Sequence, residues 1–194
     1  MSEPALSGRV YAEPGPERVK RVLLATLLCG FAACVLVTLI GLVTVFALNF
    51  VTQVLFDPSA PIGVTATGQP DFIQGLAIAG FASAFNWLFG YLTIPAAMIA
   101  LGFSVARFPR RRILATQAYL RWAAIWGAIL VAAPSVFGAF AVAGPSGSVS
   151  VATVLGALTG ASAIGALAGL ACAGLFLLIV RPGSQIGTVD ASVF

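Results

Sequence analysis

No histidine occurs anywhere in this chain. That single absence removes imidazole-ligated haem, chlorophyll-type ligation, histidine metal sites and histidine general-base catalysis. No His-ligated haem, chlorophyll or metal is therefore expected, and no cofactor is readable. Charge is nearly as scarce: Asp, Glu, Lys and Arg make up 8% of the 194 residues, against about 25% in a soluble domain. Such a chain cannot cover a water-facing surface. Cysteine is sparse too. Cys29, Cys34 and Cys172 lie inside apolar segments, and their spacing fits neither a zinc nor an iron–sulfur pattern. Cys29 and Cys172 fall at similar depth and are expected as neighbouring small packing residues.

A further absence bears on mechanism. Ion-coupled transporters and proton channels place charged or titratable side chains within the bilayer. Between Val22 and Val180 the only acids are Asp57 and Asp71, at the two ends of one polar loop. Paired-carboxylate chemistry there is conceivable, but turn formation before Pro58 and helix capping at Asp71 explain both more cheaply. An enzyme is not expected.

What the chain does have is apolar length. Hydrophobic residues make up 60%, with a mean hydropathy of +1.05. The runs are continuous and rich in Ala, Leu and Gly, without the alternation of a membrane strand. The expectation is an all-α polytopic membrane protein, a four-transmembrane-helix bundle with spans at about 22–56, 72–106, 119–143 and 151–180. Residues 1–17 and 182–194 read as cytoplasmic tails, the first disordered and the second short and polar, with 18–181 a single membrane domain. The charged lead-in Arg18, Lys20, Arg21 resembles a signal peptide, but the apolar run after it is too long for one, so an uncleaved span is expected.

The organising stretch is Arg107-Phe-Pro-Arg-Arg-Arg112, with Arg121 beyond it. In a four-span arrangement all ten basic residues fall on one side and Asp57 and Asp71 on the other. Positive-inside topology then makes both termini cytoplasmic. The net charge of +4 has the same cause, and no nucleic-acid partner is implied. Arg107, Arg110, Arg111, Arg112 and Arg121 are candidates for anionic headgroups, at about 1 kcal/mol per charge near the surface.

Counting outward from this cluster exposes surplus. About twenty residues cross the ~30 Å hydrocarbon layer, yet the first two helices run on, overlong on the outer side. The surplus of the first carries Asn49, Thr52 and Gln53; that of the second, Phe72 to Asn86, carries Gln74, Ser83 and Asn86. Strong tilt, a broken or re-entrant segment, or a projecting hairpin would each absorb it.

Gly156-Ala-Leu-Thr-Gly160 and Gly165-Ala-Leu-Ala-Gly169 are two small-xxx-small motifs. Nine residues apart, at about 100° per residue, they face opposite sides of one helix. That suits a helix set between neighbours, and one groove is a candidate contact with another subunit. Pro95 and Pro134 lie at comparable depth and are candidate hinges. Asn49, Gln53, Gln74 and Asn86 are candidate interhelical or partner hydrogen-bonding groups.

The function expected is a non-catalytic integral membrane subunit: an accessory, scaffolding or assembly component of a larger membrane complex, or a homo-oligomer. Its partners would be membrane lipids, including anionic headgroups, and other subunits or itself. A small transporter or pore near Pro95, Pro134 and Asn86 is the alternative. A lipid- or pigment-binding protein walled by Phe85-Asn-Trp-Leu-Phe-Gly-Tyr91 is the third. Nine of the ten basic residues are arginine, and with the abundant Ala and Gly this points to a bacterial inner membrane.

Overall fold

In hydrocarbon no water can satisfy a backbone N–H or C=O, so an apolar run must close its own hydrogen bonds as helix. The computed structural model describes residues 22–55, 71–107, 116–143 and 149–181, and these are helical almost throughout, with no strand among them. The loop after Asp57, the Gly144–Ser148 turn, Arg110 to Arg112 and the two tails lie outside the described residues.

Helix α1 (Val22–Leu55) has 34 residues, about 51 Å at 1.5 Å per residue. Helix α2 (Asp71–Ala84) opens on Asp71, a favourable charge for a helix N-terminus. A 3₁₀ turn (Asn86–Phe89) leads into α3 (Gly90–Arg107). Helices α4 (Thr116–Ala143) and α5 (Val151–Val180) have 28 and 30 residues. Ser150 caps α5, its hydroxyl accepting from the Thr153 N–H at 3.1 Å. Arg181 closes it in a left-handed conformation, its N–H donating to the Leu177 carbonyl at 2.9 Å. α1, α4 and α5 are each long and apolar enough to cross a bilayer; α2 and α3 together make a fourth crossing if counted as one broken span.

The α2–α3 pair is bent by 51°. The helix is broken here, between Ala84 and Gly90. Bonding changes there from Phe85 N–H to Phe81 C=O, four residues back, to Leu88 N–H to Phe85 C=O, three residues back. Asn86 and three bulky aromatics in Phe85-Asn-Trp-Leu-Phe89 are poor helix-interior residues. α2 does not stand apart from the bundle. Its Ile78 packs with Ala139 of α4 and Ala157 of α5, and Ala79 with Ala132 and Ala161.

Helix α5 is the centre, with α4 on one side, α2 on the other and α1 as third neighbour. The buried residues stack in layers along it. Ala25 and Cys29 meet Tyr119, Ala173 and Phe176 at one end; Val37 meets Ile164 and Ala168 midway; the α2 contacts close the other end. α3 leans on α1 and barely meets α4.

Glycine crossings set the spacing, one where a methyl at Gly41 of α1 would strike the Ala84 backbone nitrogen of α2, and two on α5. At the α2–α5 crossing, a methyl at Gly156 would run into the Phe72 carbonyl, and one at Gly75 into the Thr153 carbonyl. At the α4–α5 crossing, methyls at Gly165 and Gly127 would each strike the other residue's carbonyl, and one at Gly169 the Ala123 carbonyl. Each α5 crossing is thus a reciprocal backbone contact of the Cα–H···O kind. A methyl at Gly160 would come within 3.1 Å of Ala79 Cβ. Both grooves of α5 are filled from within the chain.

Gly165→Ala and Gly174→Ala should move stability in opposite directions. Gly174 faces open space, so alanine there gains up to about 1 kcal/mol of helix propensity. At Gly165 the methyl meets the Gly127 backbone, an overpacking cost of about 1–3 kcal/mol. Thermal unfolding of the two variants in one detergent, followed by circular dichroism, checks the sign.

Candidate functional site

Because α3 and α4 barely meet, a cleft of about 670 Å³ lies between them. The reason is side-chain length. The α3 face toward it carries Ala96, Ala97 and Ala100, too short to bridge to α4. Trp122, Trp126 and Leu130 form the opposite wall, and the floor is made of small residues, Ala33 of α1 with Gly165, Ala168 and Gly169 of α5. The two indoles meet edge-on, their ring centres 5.6 Å apart.

One end of the cleft is the break. Ser83, Phe85, Asn86 and Phe89 line it there, with Thr93 one turn along α3. The Thr93 hydroxyl donates to Asn86 Oδ1 at 2.8 Å, with the Phe89 carbonyl at 3.1 Å as its alternative acceptor. Asn86 Nδ2 donates to Cys34 Sγ of α1 at 3.7 Å, a weak bond to a soft acceptor. That uses one of the amide's two N–H donors and one of its acceptor positions. The side chain of Ser83 is 2% exposed and its hydroxyl has no hydrogen-bond partner among the described residues. Ser135, equally buried, donates back to the Val131 carbonyl at 2.9 Å and is satisfied.

Among the described residues no charged side chain lines the cleft, and the titratable lining groups are Tyr119 and Cys172. Ser83 has no base beside it among those residues, so the arrangement lacks an activated nucleophile. What it offers is apolar contact along two helices and hydrogen bonding at one end.

The structure gathers some of the candidate residues and separates others. Asn86 and Pro134 both line the cleft, as do Gly165 and Gly169. Pro95 is exposed inside α3, and the bend lies ahead of it at the 3₁₀ turn, not at the proline. Pro134 likewise sits inside an uninterrupted α4. Asn49 and Gln53 are half-buried on α1 and Gln74 on α2, away from the cleft. Arg107 ends α3 and Arg121 is exposed on the second turn of α4. Cys29 and Cys172 do meet: each sulfur faces the other residue's carbonyl, at 3.5 and 3.7 Å. Sequence reasoning missed Thr93, Ser135 and the glycines Gly75 and Gly127. Thr93 had a signal, since Asn86 and Thr93 are seven apart and share a helix face; a lone glycine has none.

No protein-family model, curated protein or solved structure matches this chain.

The Asn86–Thr93 bond should register as a modest coupling. A double-mutant cycle of Asn86→Ala and Thr93→Val should give about 0.5–1 kcal/mol in detergent unfolding midpoints. A coupling near zero would assign the bend to backbone preference alone.

Proposed function

We propose that this chain is a non-catalytic integral membrane protein that binds an uncharged, membrane-resident small molecule in the cleft between α3 and α4. The observation that carries this is the cleft itself. At about 670 Å³ it falls within the roughly 300–1,000 Å³ of small-molecule sites, which occur between helices of bundles with mostly apolar walls and few polar groups. A guest that partitions into lipid can enter sideways without crossing water. A helix, about 10–12 Å across with its own backbone satisfied, has no use for the polar end.

The positive-inside rule, applied to Arg107 through Arg121, puts that end of the bundle at the cytoplasmic face of a bacterial inner membrane. The polar end of the cleft then lies toward the outer leaflet, and the arginines bind anionic headgroups. The pore alternative shares this cleft, but among the described residues its lining supplies no charged side chain for an ion.

A second reading, an accessory or assembly subunit of a larger membrane complex or a homo-oligomer, draws support from α1. Phe46, Phe50 and Val54 are 64–70% exposed along its last third, on a helix longer than the ~30 Å layer needs. Extraction in mild detergent, followed by native mass spectrometry, separates the two readings. The binding reading expects single chains carrying a retained small molecule. Chains that run only with other protein subunits, and release no small molecule on unfolding, would sink it.

A further inference from the structure

The Ser83 hydroxyl is buried without a partner among the described residues, and leaving such a group unsatisfied costs stability. Ser83 lines the same end of the cleft as Asn86, whose amide has an N–H to spare; the Ser83 oxygen is covered, so a guest reaches it on a turn of the side chain. The Thr93 hydroxyl is already committed, to Asn86 or to the Phe89 carbonyl. What this end has left to offer is chiefly donors: one O–H and one N–H, three residues apart at the break. No charged residue among those described lines the cleft to hold a phosphate or an ammonium. Below the polar end the slot runs along α3 from Phe89 to Ala100 between apolar walls, about 17 Å at the helical rise.

We propose that the guest is a neutral amphiphile whose carbonyl oxygen accepts hydrogen bonds from Ser83 Oγ and Asn86 Nδ2 at the α2–α3 break, with its apolar chain lying in the slot between α3 and α4. This rests on the binding function proposed above and adds the chemistry of the head. Two membrane sources carry such an oxygen, a ring ketone of the quinone class and the ester carbonyl of a glycerolipid. A free fatty acid, ionised at neutral pH, would bury an unpaired carboxylate and is disfavoured.

Tryptophan fluorescence reads the site directly. Of the three tryptophans, Trp122 and Trp126 line the cleft and Trp87 faces outward. In a Trp87→Phe background, the full chain in nanodiscs is titrated with a decyl-substituted benzoquinone and, separately, with a brominated-chain diacylglycerol. Saturable quenching by the first identifies the ring-ketone source, and by the second the ester source. Ser83→Ala should weaken the effective probe roughly tenfold, the loss of one well-placed hydrogen bond. Alanine removes a buried hydroxyl that has no partner among the described residues, so the unfolding midpoint should hold or rise, which separates lost binding from lost folding. Ala96→Phe fills the slot but leaves the polar end intact, and should abolish saturable quenching. If Ala96→Phe leaves quenching unaltered, or neither probe saturates, the cleft is not the site and both proposals fall. If Ala96→Phe blocks the probe while Ser83→Ala and Asn86→Ala bind it as tightly as the parent, the head assignment alone is overturned.

Discussion

The packing of this bundle depends on backbone meeting backbone at its glycine crossings, above all the two on α5. Lipid tails are as apolar as leucine, so no hydrophobic force holds membrane helices together. What remains is van der Waals contact, which falls off within a fraction of an ångström. Gly75 with Gly156 and Gly127 with Gly165 bring α2 and α4 as near to α5 as helices can come. Alanine at any of these four positions would push the helices apart and loosen contacts along the whole interface.

The cleft is a consequence of that arrangement. α5 draws α2 to one side and α4 to the other, while α3, redirected by the break, follows α1. Gly30 assists: a methyl there would crowd Met98 at 3.1 Å, so α3 is seated close on α1. Once α3 and α4 are each fixed to a different neighbour, the gap between them is set by the remaining side chains. Alanines at 96, 97 and 100 do not fill it. A bundle that needed α3 and α4 to touch would carry leucines there.

Much of this was legible in the sequence because membrane helices report themselves through composition. Helix ends at Val22, Ala143, Val151 and Val180 follow from apolar runs bounded by charge, proline and glycine. The opposite faces of the two α5 motifs follow from their spacing, and the Cys29–Cys172 encounter from equal depth. The cleft was not legible. It depends on which helices are neighbours, and hydropathy carries no information on that when every face is apolar. The partners Gly75 and Gly127 were hidden for the same reason, since one glycine among 21 acquires meaning only opposite another. A proline removes one backbone hydrogen bond that a membrane helix can often spare, and α3 and α4 run straight through Pro95 and Pro134 as helix.

The break at Phe85–Phe89 therefore needs its own cause. Leaving α-helical bonding inside a bilayer strips the last carbonyls of α2 of their helical donors, at a cost in a medium without water. A local compensation exists: Asn86 ties the turn forward to Thr93 and sideways to Cys34 on α1. These bonds stabilise the bend but do not touch the Ser83 hydroxyl, which stays unpaired beside them. If the break existed only to redirect α3, an alanine at position 83 would serve better, because it would bury no unmet polar group. Ser83 lines the cleft at the break, so the carbonyl of the proposed guest would supply the acceptor that its hydroxyl lacks among the described residues.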